Sequence, residues 1–169
     1  MSTVQPTAVP AGSLLADAIC VGGYADCFVA CVPGSVTLSA FVQAFYTTPL
    51  FKCERWILGW AVARPSTDLG AAALAAGESN AFAAWTVDKR GADELLLRDF
   101  TGRTRSWLQA TASADGDATE LRFGSAIEPQ IDRRTGQVRL GRSVRLLLGF
   151  HTRYSVALLG AAVNRLGRS

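Results

Sequence analysis

The sequence has few of the residues that usually indicate a reaction. Its 169 residues include one histidine, His151, and four cysteines, none of them in a C-x-x-C pair. A zinc site requires a tighter cluster of ligands, so we expect reduced, buried thiols and no metal. No G-x-G-x-x-G or P-loop pattern is present, which leaves no basis for a nucleotide cofactor. We therefore predict that the protein works without a cofactor.

Long charge-free apolar runs are also missing. A membrane-spanning helix needs about 18 or more apolar residues. The stretch 13–32 is interrupted by Asp17 and Asp26, and the last apolar segment by His151 and Arg153. The first twelve residues have neither the basic nor the apolar region of a signal peptide. We expect a cytoplasmic protein with a flexible lead at 1–12 and a single domain at 13–169, because no repeat or linker divides the chain.

Charge is unevenly distributed along the chain. The net charge is +3, but residues 133–169 contain eight arginines and no acidic residue. Such a basic segment is either a solvated helix face or a surface for an acidic partner, a membrane or a second copy of the chain. No aromatic residues alternate with these arginines in a nucleic-acid motif, so we predict no nucleic-acid partner.

The first half of the chain predicts one strand and several helices. The apolar run 24–32 ends at Pro33-Gly34, which is typical of a strand followed by a turn. Ser35 or Thr37 then caps a helix that extends to Tyr46. Thr48-Pro49 begins a second helix, almost entirely apolar, that ends at Pro65. Residues 68–76 form a short alanine-rich helix before Gly77.

The second half predicts a meander and a final helix. Short β-rich runs separated by Gly and Asp turns indicate antiparallel strands, and they lie at 82–90, 94–100, 103–112 and 118–127. A loop at 129–141, with room for a short strand at 137–140, precedes a helix that Ser143 caps and that extends to about Leu166. Helices separated from an antiparallel sheet define the α+β class.

Three segments carry a resemblance to a known family: WTVDKRGADELLLRDFTGRTRSWLQA (85–110), LRFGSAI (121–127) and GRSVRLLLGFHTRYSVALL (141–159). They resemble an uncharacterised bacterial family with a START-like, helix-grip fold, within the SRPBCC superfamily. The resemblance covers residues 24–166. It implies a curved antiparallel sheet that grips the last helix, often with an apolar cavity between them. Members of that superfamily bind lipids, sterols, polyketides or hormones, and some are cyclases or hydroxylase subunits. No catalytic motif can be carried over.

The position of His151 on the last helix is informative. A helical wheel places Arg142, Arg145 and Arg153 on one side and His151 at the centre of the apolar side, with Tyr154 and Ser155 flanking it one turn on. His151 should therefore face the sheet. It is either a neutral core histidine satisfied by a neighbour or a polar group on a pocket wall that orients a ligand or transfers a proton.

The predicted strand at 103–112 has two different faces. Alternation places Arg103, Arg105, Trp107 and Gln109 on one face and Thr104, Ser106, Leu108 and Ala110 on the other. The first face is either a solvent face, with its arginines paired to Glu94 and Asp99, or an anion-binding arginine pair.

These patterns favour a protein that binds a small, mostly apolar or amphipathic molecule between the sheet and the last helix. The predicted binding residues are His151, Tyr154, Ser106, Leu108, Phe123 and Trp85. One alternative is an enzyme of cyclase, hydratase or isomerase type that uses His151 with Tyr154 as acid and base. Another is an interaction module or homodimer in which arginines contact an anion or an acidic partner, the candidates being Arg103, Arg105, Arg142, Arg145 and Arg153.

Overall fold

A computed structural model describes residues 3–19, 23–53, 66–131, 138–139 and 142–167. Within these residues the helices are α1 (Leu14–Asp17), α2 (Leu38–Tyr46), α3 (Asp68–Ala76) and α4 (Arg142–Leu166). The strands are β1 (Gln5–Pro6), β2 (Tyr24–Pro33), β3 (Ala81–Phe82), β4 (Trp85–Arg90), β5 (Glu94–Asp99), β6 (Thr104–Ala112), β7 (Ala118–Ile127), β8 (Gln130–Ile131) and β9 (Val138–Arg139). The predicted α+β class, with an antiparallel sheet and a long C-terminal helix, is confirmed.

Seven of the described strands form one antiparallel sheet in the order β1-β2-β7-β6-β5-β4-β3. The meander from β4 to β7 occupies the predicted runs, and β2 returns to pair with β7 along its whole length. Sequence reasoning missed the edge strand β1, and it joined Phe82 of the other edge strand, β3, to β4 in one run, whereas a turn at 83–84 separates the two strands. Gln5 and Pro6 pair with Val29 and Phe28, so this part of the predicted flexible lead belongs to the sheet. A two-residue strand has no period of its own, and only the partner strand defines it.

The helices follow their predicted caps with one exception, at the start of the last helix. The Thr37 hydroxyl accepts a hydrogen bond from the Ala40 N–H at 3.2 Å, and Gly77 ends α3 with a φ of 81°. Residues 49–53 are helical, and the remainder of the predicted helix to Pro65, with Trp56 and Trp60, lies outside the described residues. The last helix begins at Arg142, so Ser143 lies in its first turn and not at the cap.

The main core lies between one face of the sheet and the helices α2 and α4. Phe41 and Phe45 of α2 and Leu158 and Leu159 of α4 are almost completely buried against it. The ring centroids of Phe45 and Phe123 are 4.8 Å apart, which joins α2 to β7. Because successive side chains of a strand point to opposite faces of the sheet, every second residue of each strand lies on this face. The aliphatic and aromatic residues there include Leu95, Leu97, Leu108, Leu121 and Phe123.

The opposite face is partly covered by the short helix α1. Leu15 of α1 packs with Cys27, Leu96, Trp107 and Ala126 in a second buried cluster. Sequence reasoning placed Trp107 on a polar face, whereas its side chain is 0% exposed. The correction has a long-range cause, because α1 precedes Trp107 by about ninety residues.

A carboxylate and a glycine of the sheet allow α1 to pack closely against it. Glu94 Oε2 accepts hydrogen bonds from Leu14 N at 2.9 Å and from Trp107 Nε1 at 2.7 Å. A Cβ atom added to Gly124 would lie 2.5 Å from Leu15 Cδ2 and 2.9 Å from the Asp26 carbonyl oxygen. Glycine is therefore required where β2, β7 and α1 meet.

The cysteines differ in burial more than expected. Cys27 and Cys31 occupy the same face of β2, but Cys27 is buried whereas Cys31 and Cys53 are exposed. Burial raises the pKa of the Cys27 thiol from its ordinary value of 9.0 to about 11. The expectation of buried thiols is therefore wrong for Cys31 and Cys53.

Candidate ligand-binding cavity

A cavity of about 260 Å³ lies between the sheet and α4. Most of its wall is apolar, and the exposed ring of Phe100 marks where the wall reaches solvent. Strands β4 to β7 supply one side, and α2, residue 51 and α4 supply the other. The lining residues are Phe45, Phe51, Ala84, Trp85, Asp99, Phe100, Thr104, Arg105, Ser106, Phe123, Ser125, His151, Tyr154, Ser155 and Leu158.

Five of the six predicted binding residues line this cavity: Trp85, Ser106, Phe123, His151 and Tyr154. Leu108 does not line it. Leu108 is paired with Phe123 in the sheet and is 1% exposed in the main core. The prediction that His151 faces the sheet is confirmed by a contact of its ring with β7.

A row of polar side chains crosses the sheet under the N-terminal half of α4. Sheet register places Asp26, Ser125 and Ser106 side by side on β2, β7 and β6. Ser125 Oγ lies 2.6 Å from Asp26 Oδ1 and 2.7 Å from His151 Nε2, and Asp26 Oδ2 lies 3.5 Å from His151 Nε2. The Asp26 side chain is 10% exposed and that of His151 is 28% exposed. The three groups therefore form one hydrogen-bonded chain that ends at the cavity.

The direction of these hydrogen bonds follows from the chemistry of the groups. An ionised carboxylate only accepts, so Ser125 Oγ–H donates to Asp26 and its lone pair accepts from His151 Nε2–H. We assign the His151 proton to Nε2 on this basis. Ser125 is not arranged as a nucleophile, because its proton is directed to the carboxylate and not to the imidazole. The imidazole is the terminal group of the chain, and His151 lines the cavity.

Asp26 is held by a further contact from its own strand. Tyr24 Oη–H donates to Asp26 Oδ2 at 3.2 Å. Burial, together with the neighbouring Asp26 carboxylate, raises the pKa of Tyr24. The backbone N–H of Ser125 adds a contact of 3.2 Å to Asp26 Oδ1. These donors satisfy a carboxylate that would otherwise be costly on the core face of a sheet.

Two buried polar atoms of cavity-lining residues have no hydrogen-bond partner among the described residues. They are Trp85 Nε1 and Ser155 Oγ. Ser155 is 0% exposed and follows His151 by one turn of α4. Trp85 begins β4 immediately after a two-residue turn in which Ala83 has a φ of 53°. Non-glycine residues rarely adopt that conformation, so the chain holds Trp85 in place through a strained turn.

Arg105 has acidic partners other than the expected Glu94 and Asp99. Arg105 Nε and Nη2 each lie 3.0 Å from a carboxylate, of Asp88 and Glu128 respectively. Glu94 instead accepts from Trp107 and Leu14, because register places it beside Gln109 and away from Arg105. Alternation places the Arg105 guanidinium on the face of the sheet opposite the cavity.

Asp99 accepts hydrogen bonds from the backbone of the β5–β6 turn. Its Oδ1 accepts from the backbone N–H groups of Arg103 and Thr104 at 2.9 and 3.0 Å. The Arg103 side chain is exposed. Among the α4 arginines, Arg153 is exposed, as the helical wheel predicts, and the side chains of Arg142 and Arg145 lie outside the described part of the chain.

Sequence reasoning missed the acidic end of the polar chain. Asp26 and Ser125 were not among the predicted site residues, although both carry a signal. On β2, Asp26 shares a face with the apolar residues Phe28, Ala30 and Val32. On β7, Ser125 shares a face with Leu121 and Phe123. A polar residue in the core-facing positions of an otherwise apolar strand indicates a buried polar contact. Which residue it contacts depends on the sheet register.

Comparisons with known proteins identify no relative of this chain. No family model, curated protein or solved structure matches the chain. None of the helices among the described residues is long and apolar enough to cross a membrane. The described residues likewise bring together no group of three or more His, Cys, Asp or Glu side chains that could hold a metal ion.

Proposed function

We propose that this is a START-like, helix-grip protein that binds a small, mostly apolar molecule between its sheet and its last helix. The observation that carries the proposal is the cavity of about 260 Å³ with largely apolar walls, in which His151, Ser106, Ser125 and Tyr154 supply polar groups. Apolar walls with a few polar groups are typical of small-molecule sites. The antiparallel sheet with a 25-residue helix across it supports the helix-grip fold.

The size of the cavity limits the ligand. It exceeds the roughly 150 Å³ that accommodates benzene in an apolar protein cavity, and it falls just below the range of about 300–1,000 Å³ common for drug-sized ligands. A molecule larger than one ring and smaller than a sterol fits best. Burial of its apolar surface contributes about 25 cal/mol per Å² before the cost of association is subtracted.

The test combines native mass spectrometry with one substitution. The mass of the intact purified protein is measured under native conditions. The protein is then denatured, and any small molecule that it releases is identified. We expect His151→Leu to fold normally and to lose or change the bound molecule, because it removes the terminal polar group of the cavity. Arg153→Leu, on the exposed side of the same helix, is the matched control and should retain the ligand. Unchanged ligand identity and affinity in His151→Leu would contradict the proposed role of this residue.

A second candidate function is acid–base catalysis on the bound molecule. The hydrogen-bonded chain from Asp26 through Ser125 to His151 favours it, because a positioned imidazole can accept and return a proton. Nuclear magnetic resonance of the bound molecule in D₂O would detect exchange of its carbon-bound protons. We expect exchange in the native protein and none in His151→Gln. Equal exchange in both would exclude His151 as the catalytic base.

Three expectations from the sequence stay predictions. They are a cytoplasmic location, a homodimer and an acidic partner for the arginine-rich segment. The exposed Arg153 supports the last of these, and reversal to glutamate with a salt titration would test it.

A further inference from the structure

We propose that the molecule bound in the cavity carries a protonated amine, which pairs with the Asp99 carboxylate beside Trp85 at the solvent-facing edge of the cavity. The proposal rests on the proposed function and defines the chemical class of the ligand. It depends on the position of Asp99, on the hydrogen-bonding capacity that its carboxylate retains, on the charges around the cavity and on the aromatic lining.

Asp99 lies on the cavity side of the sheet, between two other lining residues. Register pairs Asp99 with Trp85 of β4, and the Thr104 N–H of β6 donates to Asp99 Oδ1 at 3.0 Å. Directly paired residues have Cβ atoms about 5 Å apart, so the Trp85 side chain begins close to the carboxylate. Asp99 and Trp85 are partly exposed, and the adjacent Phe100 is 52% exposed. A ligand can therefore reach this edge of the cavity.

The Asp99 carboxylate can accept a further hydrogen bond. An ionised carboxylate has about four positions for donors. Oδ1 accepts from the backbone N–H groups of Arg103 and Thr104 at 2.9 and 3.0 Å, and Oδ2 accepts from Thr101 Oγ1–H at 2.6 Å. These donors come from the β5–β6 connection and hold the carboxylate in one orientation. The position that remains, on Oδ2, requires a donor.

The charges around the cavity favour a cationic donor. Asp99 lines the wall, and the Asp26 carboxylate lies behind Ser125. The ion pairs among the described residues give neither carboxylate a lysine or arginine partner. Arg105 is the one lysine or arginine of the described lining residues, and its guanidinium is already bonded to two carboxylates and a carbonyl. Removal of a carboxylate from water is costly unless an opposite charge accompanies it, so a ligand that covers Asp99 should supply the positive charge.

Aromatic side chains form most of the apolar wall. They are Phe45, Phe51, Trp85, Phe100, Phe123 and Tyr154, and the aliphatic lining residues are Ala84 and Leu158. The face of an aromatic ring is negative and attracts a cation within about 6 Å of the ring centre, most strongly in tryptophan. An aliphatic wall would contribute dispersion alone. The composition of this wall therefore suits a ligand with an apolar body and an ammonium group, and it disfavours an anion.

The cavity volume sets the size of the probes. Benzene has six non-hydrogen atoms in about 150 Å³. The same volume per atom in about 260 Å³ corresponds to roughly ten non-hydrogen atoms. 2-Aminoindane is a fused-ring amine of this size, and its ammonium is charged at neutral pH, like that of lysine. 2-Indanol has the same size and also donates a hydrogen bond, but it is neutral, and indane-2-carboxylate is the anionic analogue.

Calorimetric titration of these three probes into the native protein tests the proposal. We expect 2-aminoindane to bind about tenfold more tightly than 2-indanol, because charge-assisted hydrogen bonds are about twice as strong as neutral ones. The carboxylate should bind most weakly. Equal binding of the amine and the alcohol, or tightest binding by the carboxylate, would overturn this inference and leave the proposed function standing. No binding of any probe at millimolar concentration would overturn the proposed function as well.

Substitution of Asp99 by asparagine makes the test specific. The amide oxygen of Asp99→Asn can still accept from the two backbone N–H groups, so the turn should be retained while the charge is lost. The preference for 2-aminoindane over 2-indanol should fall to about unity, and binding of 2-indanol shows that the cavity is still formed. Asp93→Asn, just before β5 at its other end and outside the cavity lining, is the matched control and should keep the tenfold preference. A preference that survives in Asp99→Asn would refute the assignment of this carboxylate.

The dependence on salt gives a second test that needs no variant. Asp99 is partly exposed, so dissolved ions should screen its attraction for the ammonium. The preference for the amine should decrease as the sodium chloride concentration rises, whereas the affinity for 2-indanol should stay nearly constant. A preference that is independent of salt would contradict the charge pair.

Discussion

Replacement of Gly124 by alanine should destabilise the protein at the junction of three elements. The new Cβ would lie 2.5 Å from Leu15 Cδ2, 2.9 Å from the Asp26 carbonyl oxygen and 3.2 Å from Trp107 Cε3. Leu15 can rotate away, but the Asp26 oxygen belongs to the backbone of β2 and cannot move without shifting the strand. Overpacking of this kind costs about 1–3 kcal/mol. For a chain of this length each kcal/mol lowers the melting temperature by about 2–4 °C.

The assay is urea denaturation followed by circular dichroism, with a second glycine as the matched control. Among the described residues, a Cβ on Gly160 in α4 would meet Val4 Cγ2 alone, at the ordinary contact distance of 3.8 Å. Gly160→Ala should therefore raise the free energy of unfolding by about 0.5–1 kcal/mol, since alanine is the better helix former. The Gly→Ala substitution should thus lower the free energy of unfolding at position 124 and raise it at position 160.

A double-mutant cycle identifies the clashing partner. Leu15→Ala alone should cost about 2–5 kcal/mol through the cavity it leaves. In the Gly124→Ala background it should cost less, because it removes the closest of the three contacts, and the difference is the coupling energy. Gly124→Ala with unchanged or higher stability would refute the argument that α1 and β2 require a glycine here.

Two further stability predictions follow from the second cluster and its surroundings. Glu94→Ala should lower the free energy of unfolding by about 1–3 kcal/mol in urea denaturation, because it leaves the buried Trp107 N–H without an acceptor, whereas the exposed Glu78→Ala should change it by less than about 0.5 kcal/mol. Burial raises the pKa of Cys27 to about 11, so the folded protein favours the neutral thiol. The contribution of this thiol to the free energy of unfolding should be fully present below about pH 9. It should fall by about 2–3 kcal/mol as the pH rises through 9–11. Cys27→Ala should remove that part of the fall, and an identical pH profile in the variant would contradict the buried thiol as its origin.

The elements of the fold that have a strong local pattern were predictable. Three of the four meander runs form strands within one residue of the predicted bounds, and the run 82–90 forms a strand from Trp85 onward. Thr37 and Gly77 mark helix ends because capping and left-handed conformations are properties of single residues. β1, β3 and α1 were not predictable in this way. They contain two to four residues each, too few to show a period. β1 is defined by its pairing with β2, β3 by its pairing with β4, and α1 by its packing on Trp107.

The candidate site was predictable only in part. The helical period places His151 towards the sheet, and strand alternation places Ser106 on the side of the cavity. Asp26 and Ser125 join the site through the β2–β7 register, which pairs residues 99 positions apart. Local periodicity assigns a residue to a face, but it does not state which residue of another strand stands beside it.

The amino-acid sequence by itself determined the class of the fold, which residues of each long strand share a face, and which side of the last helix is apolar. These features depend on neighbours within a few residues. The tertiary structure alone decided three other features. These are that His151 meets Ser125 and Asp26, that Arg105 is neutralised by Asp88 and Glu128, and that Trp85 and Ser155 line one cavity. The physical reason is the same in each case: hydrogen bonds and ion pairs act over about 3 Å, and only the folded chain brings such distant residues within that range.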